Sequence, residues 1–386
     1  MKSQYLGKKY WNLSKGELAQ SVDGAYSYSD LINLTVGDPD ITTDERVIKL
    51  AFEDALNGHT HYTESVGIKE LRQKIVDLYE EDYSYGINLD EVMITTSASH
   101  GMWLVMQGIL DPGDEVIIPS PYFTPYKDQV EMAGGVPVFV PMYEDEDYQL
   151  NFERLQSKIT NRTKAIIINT PNNPIGSCLS KESMENISAI AKRYDLLVIA
   201  DDIYTIYSYQ ENFVPITSLE GMKERTITVV SFSKNYAMTG WRLGFILAPD
   251  YIIEVFKNIN ENNVYAPPSI SQRAAIHAID LRKDIQANLV EIFKERVYYA
   301  YERLNQLKGV KVMEPKGTFY LFPNIKETTF TSKEVTEILL KQAHIGVVPG
   351  TAFGKEGEGY IRIAATLSMD KLKEAFDRME KLDIFK

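Results

Sequence analysis

Residues 164–202, KAIIINTPNNPIGSCLSKESMENISAIAKRYDLLVIADD, hold two strongly apolar runs separated by a helical stretch. The runs KAIIINT and LLVIADD are short and almost continuously apolar, which is typical of strands covered on both faces of a parallel sheet. A helix is predicted after Ser180, between the two runs. Because parallel strands need a crossover connection that is usually a helix, this stretch predicts an α/β fold.

The same alternation extends over much of the chain. Between about residue 90 and about residue 250, the apolar runs VMITT, DEVIIPS, VPVFV and TITVVSF alternate with helices predicted near Ser99, Pro125 and Asn151. This pattern predicts a large domain in which helices sandwich a mainly parallel sheet.

A change of pattern predicts a second, smaller domain. After about residue 285 a long amphipathic helix is followed by GTFYLFPNI, VVPGTAFG and YIRIAA. These segments predict an α+β domain that the N-terminal segment joins. The predicted boundaries are 41–285 for the large domain, and 1–40 with 286–386 for the small domain.

Composition excludes several function classes. The net charge is −13 and basic tracts are absent, which argues against nucleic acid or an anionic membrane as the main partner. The N-terminal stretch lacks the apolar core of a signal peptide and no apolar run could span a bilayer, so we expect a cytoplasmic protein. Cys178 is the only cysteine, which excludes an internal disulfide, and the five histidines lack the spacing of metal ligands. We therefore expect no catalytic metal.

Ligands of parallel α/β sheets bind beyond the carboxyl ends of the strands. The segments at those positions are TSASHG, PSPYFTPY, NTPNNPIG, ADDIY and SFSK. All five are rich in small, polar or aromatic residues, which makes them the candidate site.

The stretch SFSKNYAMTGWRLGF, residues 231–245, combines an anion site with an amine. Arg242 and the hydroxyls of Ser231 and Ser233 suit a phosphate. Lys234, if held beside other cations in a semi-enclosed pocket, becomes a nucleophile that can form a Schiff base. A phosphate with an aldehyde indicates pyridoxal phosphate. A strand end with a solvated lysine is the alternative that a lone lysine–arginine pair leaves open.

Acidic and amide side chains follow two further runs. A carboxylate beside a pyridine nitrogen keeps that nitrogen protonated, and Asp201 is the candidate for this role. We rank an acid pair binding a metal lower, while Asp202 could instead cap the next helix. Asn173 and Tyr204 could donate to the ring hydroxyl, although NTPNNPIG is also a Pro/Asn turn. Asn173–Pro174 and Ser120–Pro121 are candidate cis bonds.

Two glycine-rich or small-residue segments remain. In TTSASHG, the amides of Ser97, Ala98 and Ser99 could bind a phosphate at a helix N-terminus, although an ordinary helix cap would look the same. GTAFGKEGEG matches no nucleotide-binding spacing, and we expect a flexible loop.

Taken together and in this order, PNNPIG, ADDIY, SFSKNYAMTGWRLGF and YIRIA resemble the class I/II aminotransferases, which are pyridoxal-phosphate enzymes with the aspartate aminotransferase fold. The resemblance runs from NLTVGDPD to VVPGTAFG and so covers nearly the whole chain. It implies a ping-pong Schiff-base mechanism that moves an amino group between an L-amino acid and a 2-oxo acid.

The resemblance also implies roles for individual residues. Lys234 is the Schiff-base lysine, Asp201 is the partner of the pyridine nitrogen, and Tyr204 and Asn173 are the partners of the ring oxygen. The phosphate is held by Ser231, Ser233, Arg242 and the amides around Ala98, from Ser97 to Ser99.

Four further residues complete the implied site. Phe123 stacks on the cofactor, and Tyr62 reaches the phosphate in the neighbouring subunit, which implies a homodimer with shared sites. Arg362 binds the substrate α-carboxylate beside the backbone of Gly37.

Departures from the family pattern bear on the substrate. Ile175 replaces a hydroxyl residue, Ser97 replaces the glycine of the phosphate turn, and Asp202 replaces a glutamate. Ser99 stands where some aspartate-preferring relatives carry a lysine, so the resemblance does not imply a dicarboxylate substrate. Phe123, Tyr126 and Trp11 suggest instead an apolar or aromatic side-chain pocket.

Two other functions use similar residues. A carbon–sulfur β-lyase expels a leaving group from the same carbanion and needs the same lysine, aspartate and arginine. A pyridoxal-phosphate-binding sensor joined to a DNA-binding domain is disfavoured by the acidic charge and by the lack of a basic helix-turn-helix segment.

Overall fold

A computed structural model of the 386-residue chain describes residues 5–7, 16–24 and 28–386. Twelve strands are formed in the described part of the chain. They are β1 (Ile32–Asn33), β2 (Val92–Thr95), β3 (Glu115–Ser120), β4 (Val136–Pro141), β5 (Thr163–Asn169), β6 (Leu197–Asp201), β7 (Thr226–Ser231), β8 (Gly244–Leu247), β9 (Tyr320–Leu321), β10 (Ile345–Gly346), β11 (Val348–Pro349) and β12 (Ile361–Ala364).

Thirteen α-helices accompany these strands within the described ranges. They are α1 (Glu17–Gly24), α2 (Glu45–Leu56), α3 (Lys69–Tyr83), α4 (Ala98–Ile109), α5 (Pro125–Met132), α6 (Phe152–Ser157), α7 (Lys181–Tyr194), α8 (Phe232–Asn235), α9 (Asp250–Glu261), α10 (Ser269–Asp280), α11 (Arg282–Leu304), α12 (Ser332–Ala343) and α13 (Met369–Met379).

Seven strands form the central sheet, in the order β2-β8-β7-β6-β5-β3-β4. The pairs from β7 through β6, β5 and β3 to β4 are parallel, whereas β8 runs antiparallel to both β7 and β2. The prediction of a mainly parallel sheet is confirmed.

Alternate residues of the apolar runs face opposite helical layers. In β5, Ile166 and Ile168 pack in a core with Ile187 of α7, while Ala165 and Ile167 pack in a second core with residues of α4, α5 and α9. Because both faces are covered, the strands show no polar alternation, which is why the sequence pattern predicted them.

Two small sheets lie outside the central one. β1 pairs with β10 in parallel, and β11, β12 and β9 form an antiparallel sheet. Ile32 and Leu34 share a core with residues of α11, α12 and α13, so the chain near β1 packs against C-terminal elements. The domain boundaries themselves stay a prediction.

The glycine-rich segment 350–359 is ordered by packing. It forms two 3-10 turns, Gly350–Phe353 and Lys355–Gly357, and the Phe353 ring is fully buried. Tyr122 N donates to Phe353 O at 2.9 Å, and Thr124 Oγ1 donates to Ala352 O at 2.8 Å. The expectation of a flexible loop is therefore wrong.

Two further sequence expectations can be compared directly. The bonds Ser120–Pro121 and Asn173–Pro174 are cis, and so is Thr170–Pro171. Across the described ranges, every helix is too short or too polar to cross a bilayer. The cytoplasmic location stays a prediction.

Candidate active site

A cavity of about 270 Å³ opens at the carboxyl edge of the central sheet. Its lining includes twelve of the residues that the sequence assigned to the cofactor and the α-carboxylate, all except Asp201 and Tyr62: Gly37, Ser97, Ala98, Ser99, Phe123, Asn173, Tyr204, Ser231, Ser233, Lys234, Arg242 and Arg362. The strand-end rule explains this grouping except for Gly37 and Arg362, since the segments that follow parallel strands meet at one edge of the sheet. Tyr126, suggested for the side-chain pocket, does not line this cavity and instead donates to Asp201.

Lys234 stands in α8, the first helical turn after β7. Its Nζ donates to Gly37 O on the N-terminal side of the cavity. Burial lowers the pKa of Lys234 to about 8; the charge of Asp38 opposes the shift, and those of Arg242 and Arg362 contribute to it. The amine is therefore half neutral near pH 8, and the neutral form is the nucleophile.

Asp201 ends β6 and is only 4% exposed. Its Oδ2 accepts a hydrogen bond from the Tyr126 hydroxyl, while its Oδ1 is buried without a partner among the described residues. Burial raises the pKa of Asp201 to about 7. A buried acid with one unused oxygen fits a ligand that brings a positive group or a proton.

Asp202 is also buried, and its Oδ2 has no partner in the described chain. The next turn, Thr205–Tyr207, has no side-chain cap, so the helix-cap alternative for Asp202 is wrong. Burial raises the pKa of Asp202 well above its usual value, and the negative charge of the nearby Asp201 is a smaller cause of the same shift.

The candidate anion site lies where α4 begins next to the turn that carries Arg242. Ser97 caps α4 by accepting from His100 N at 3.3 Å, and Ala98 and Ser99, which begin the same helix, line the cavity. The φ of Ser97 is 87°, in the left-handed range that favours the glycine of relatives.

Gly244 explains how closely these two segments approach. A Cβ at Gly244 would lie 2.7 Å from Ala98 N and 2.6 Å from Val230 O. Only glycine lets β8 lie this close to the start of α4. Ser231, which caps α8 by accepting from Ser233 N at 3.0 Å, and Arg242 line the same cavity.

Arg362 lies on β12 and is 3% exposed. Its Nη1 donates to Asn173 Oδ1 at 3.1 Å and its Nη2 donates to Thr35 O, whereas Nε has no partner among the described residues. Burial lowers the pKa of Arg362. The guanidinium is held by neutral acceptors, so its charge is available to an anion.

Several cavity residues were missed by the sequence reasoning. They are Leu18, Val22, Thr35, Val36, Ile203, Thr239 and Tyr320. Leu18 and Val22 stand one turn apart on α1, and Glu17 of that helix accepts from Thr351 Oγ1 at 2.5 Å. The i, i+4 spacing in α1 was the available signal for Leu18 and Val22.

Tyr62 does not join the other site residues within this chain. Its side chain is 90% exposed and its ring lies 5.5 Å from that of Tyr265 in an edge contact. Its role towards a neighbouring subunit stays a prediction. Trp11, suggested for the side-chain pocket, lies outside the described residues. No group of three or more potential metal ligands is found in the part of the chain described here.

The chain is similar to known proteins over nearly its whole length. A family model for aminotransferase class I and II matches residues 29–379. The chain is 41% identical over 375 residues to the aspartate aminotransferase of Pyrococcus abyssi, covering 96% of each. It is 40% identical over 373 residues to aromatic-amino-acid aminotransferase 2 of Thermococcus litoralis, covering 95% of this chain and 93% of that one.

A solved structure agrees with these relatives. The aspartate aminotransferase from Thermus thermophilus with maleate matches with a TM-score of 0.93 and 30% identity, covering 98% of this chain and 100% of that chain. Fold, sequence and cavity chemistry thus agree, and the chain belongs to the class I and II aminotransferases as a pyridoxal-phosphate-dependent aminotransferase.

Proposed function

We propose that the cavity binds pyridoxal phosphate between the anion site and Asp201. Ser97 N already donates to Thr95 O at 2.9 Å, so the prediction that its amide binds the phosphate is wrong. The phosphate would be held by the amides of Ala98 and Ser99, the hydroxyls of Ser231 and Ser233, and Arg242. Asp201 would hold the ring nitrogen, Asn173 and Tyr204 the ring oxygen, and Phe123 one face of the ring.

The donor set fits this cofactor. The unpartnered Oδ1 of Asp201 offers an acceptor for a protonated ring nitrogen, and that proton would relieve the buried charge. The close approach at Gly244 joins a helix N-terminus to Arg242, and a phosphate group needs such a set of donors. The cavity of about 270 Å³ is the size of a small organic ligand.

When bound, the cofactor supplies an electron-accepting ring that stabilises negative charge at the substrate α carbon. Lys234 provides the amine that attaches the cofactor and, once released, the base that takes the proton from the α carbon. Its lowered pKa, about 8, suits both tasks because the neutral amine is the reactive form. This single observation, a buried lysine of reduced pKa between the anion site and Arg362, carries the proposal.

Arg362 would bind the substrate α-carboxylate. Its Nε lacks a partner among the described residues, and Asn173 and Thr35 already fix the guanidinium plane. An oriented arginine can bind a carboxylate through two parallel hydrogen bonds, which sets the α carbon in one position. Amino acid and 2-oxo acid share this carboxylate, so both would use the same cavity in turn.

The cavity walls favour a substrate with an apolar or aromatic side chain. Leu18, Val22, Val36, Phe123 and Ile203 supply apolar lining. The lysine and arginines of this lining are Lys234, Arg242 and Arg362, which all have proposed roles with the cofactor or the α-carboxylate. A distal carboxylate would thus lack a dedicated cation within the described chain. The names of the relatives do not decide this point, since the Thermococcus litoralis relative is named for aromatic amino acids and the Pyrococcus abyssi relative for aspartate.

A second copy of the chain would complete the site. Tyr62 is 90% exposed, and Tyr265, Phe52 and Leu56 also expose large apolar surface. The Tyr62 and Tyr265 rings are in contact, so they form a continuous exposed apolar surface, which is the kind of surface that another protein covers. We propose a homodimer in which Tyr62 donates to the phosphate bound by its partner. Light scattering during gel filtration tests it, and a monomer at micromolar concentration would contradict it.

The deciding experiment mixes the cofactor-loaded protein with single amino acids, including L-phenylalanine and L-aspartate. Loss of the cofactor's absorption band together with the matching 2-oxo acid would support transamination and identify the donor. Aspartate reacting faster than phenylalanine would contradict the apolar pocket. Pyruvate and ammonia released from a cysteine conjugate without amino transfer would support the β-lyase alternative, which the relatives' names do not favour.

A further inference from the structure

Tyr320 lies in the cavity between residues proposed to bind the cofactor and residues proposed to bind the substrate. It begins β9, is 3% exposed and lines the cavity. It contacts Tyr204, Arg362 and Gly37, and none of these contacts is suggested by local sequence. No role for Tyr320 follows from the mechanism above.

The sheet register places Tyr320 beside Arg362. Tyr320 pairs with Ala364 across the antiparallel strands β9 and β12. Arg362 is two residues from Ala364, so its side chain and that of Tyr320 are diagonal neighbours on one face. The Arg362 guanidinium lies 4.7 Å from the centre of the Tyr320 ring, and 4.8 Å from that of Phe353. Such contacts with aromatic rings stabilise a buried cation that has no carboxylate partner.

The hydroxyl of Tyr320 lies beside that of Tyr204. The two oxygens are 3.3 Å apart, and Tyr204 donates. A hydroxyl can donate and accept at once, and its hydrogen turns to suit its partners. When Tyr204 donates to an acceptor in the cavity, its oxygen can accept from Tyr320. A chain of hydrogen bonds in a buried site polarises each member, which makes Tyr204 a stronger donor.

The N-terminal segment fixes the position of this hydroxyl. A Cβ at Gly37 would overlap the Tyr320 hydroxyl oxygen, so the backbone lies directly against it. The same segment accepts from Lys234 Nζ at Gly37 O and from Arg362 Nη2 at Thr35 O. Tyr320 is therefore held by backbone that also holds the amine and the guanidinium.

We propose that Tyr320 is a positioning residue of the aminotransferase site, acting through two neighbours. Its hydroxyl strengthens the hydrogen bond that Tyr204 gives to the cofactor's ring oxygen, and its ring orients Arg362 for the substrate carboxylate. The proposal rests on the functions proposed above for Tyr204 and Arg362.

A double-mutant cycle tests the hydroxyl. The absorption band of the bound cofactor is titrated with pH in each variant, and the midpoint of the titration is compared. Tyr204→Phe should raise the midpoint by about one pH unit, because the anionic ring oxygen loses a donor. Tyr320→Phe should raise it by about 0.3 unit, because only the polarisation of Tyr204 is lost. In the Tyr204→Phe background, Tyr320→Phe should add no shift. An equal shift in both backgrounds, or no shift from Tyr320→Phe alone, would overturn the hydroxyl's action through Tyr204.

The ring is tested with propionate, an unreactive carboxylate with almost no side chain, bound to the loaded enzyme and followed by calorimetry. Tyr320→Phe keeps the ring and should leave the Kd for propionate within about twofold. Tyr320→Leu removes the ring and should raise this Kd about tenfold. Equal Kd values for the two variants would overturn the action on Arg362. Thermal melting of each variant checks that the fold is retained.

Failure of this proposal can be told from failure of the proposed function. If the wild-type protein shows no titrating band, or Tyr204→Phe leaves the midpoint unchanged, the role of Tyr204 is wrong and the proposal for the Tyr320 hydroxyl falls with it. If Tyr204→Phe moves the midpoint and Tyr320→Phe does not, only the proposal for Tyr320 is wrong.

Discussion

Glu115 and Asp201 lie at opposite edges of the central sheet and are equally buried, each at 4% exposure. Glu115 begins β3 and its carboxylate accepts from Thr160 Oγ1 at 2.6 Å and from Arg162 Nη2 at 2.6 Å. The hydrogen bond from Thr160 and the charge of Arg162 hold its pKa below the usual value despite burial. Asp201 ends β6 with one oxygen unused, and burial raises its pKa to about 7. Glu115, at the amino ends of the parallel strands, therefore has hydrogen-bond partners for both carboxylate oxygens. Asp201, at their carboxyl ends, has a partner for only one oxygen among the described residues.

The buried arginines show the same difference. Arg296 donates to Asp40 Oδ1 at 2.6 Å and to Thr366 O at 2.9 Å, which joins α11 to the chain on either side of it. Arg362 is more deeply buried but has only neutral acceptors among the described residues. Burying a charge without a counter-charge costs free energy, and a ligand of opposite charge can recover it. A buried charged group without a counter-charge or with an unused oxygen thus distinguishes the site from the rest of the protein better than burial alone.

The largest effect should come from the amine at the carboxyl edge. We expect Lys234→Ala to lower the rate of 2-oxo acid formation by at least about 10⁴-fold, because the attaching amine and the base are lost together. Lys355→Ala is the matched control, since that side chain is 88% exposed and does not line the cavity. Normal turnover by Lys234→Ala would contradict the assignment of the whole site.

The two carboxylates can be compared by isosteric amides. We expect Asp201→Asn to lower kcat by about 10²- to 10³-fold, because the charge beside the ring nitrogen is lost. The folded-state pKa of Asp201 lies above its unfolded value, so its ionisation destabilises the cofactor-free protein as pH rises towards and past about 7. Asp201→Asn should therefore stabilise the cofactor-free form at pH 8, on the order of 2 kcal/mol.

Glu115→Gln should do the opposite. The lowered pKa of Glu115 means that its stabilisation is present above the unfolded pKa and is lost as pH falls. We expect a loss of about 1–2 kcal/mol in unfolding free energy at pH 8 and little change in kcat. Urea unfolding of both cofactor-free variants measures the difference. If both amides destabilise the protein equally, the contrast between the two edges is wrong.

The arginine pair provides the next comparison. Arg362→Ala should raise KM for the amino acid about 10²-fold, because a charge-assisted bidentate interaction is lost. Its unfolding free energy should change little, because the loss of the hydrogen bonds to Asn173 and Thr35 is offset by the removal of a buried charge that has no counter-charge within the described chain. Arg296→Ala should leave KM unchanged and cost about 2 kcal/mol, because Asp40 loses its partner. Steady-state kinetics and thermal melts on the same preparations separate the two. An unchanged KM for Arg362→Ala would place the carboxylate site elsewhere.

Sequence patterns predicted the cavity because a simple geometric rule governs it. Asp201 ends a buried strand, Asn173 and Lys234 follow two others, and parallel strands bring such positions to one edge. The resemblance added Arg362 and Gly37, which come from segments far apart in the chain. Twelve of the residues expected from sequence line one cavity for these reasons.

The supporting contacts could not be predicted in this way. Tyr126 reaches Asp201 from α5 across 75 residues, and Tyr320 reaches Tyr204 across 116. Both contacts depend on how separate helices and strands pack together, and the local pattern of apolar residues gives no information about that packing. The prediction for segment 350–359 was wrong for a related reason, because a Cβ at Gly350 would overlap the backbone of Gly357. Its glycines allow close packing, whereas the sequence suggested flexibility.

The smallest predicted effect concerns the electrostatics around Lys234. Because the neutral amine attacks the cofactor, capture of pyridoxal phosphate by the cofactor-free protein should accelerate with rising pH and level off above about 8. Below this midpoint the rate should fall about tenfold per pH unit. Asp38 raises the pKa of Lys234, so Asp38→Asn should move the midpoint to lower pH by about half a unit. Stopped-flow absorbance measures the rate of capture. Asparagine can still accept the hydrogen bond that Thr239 Oγ1 gives to Asp38 at 2.7 Å, so the variant tests the charge alone. A midpoint equal to or above that of the wild type would contradict the electrostatic action of Asp38.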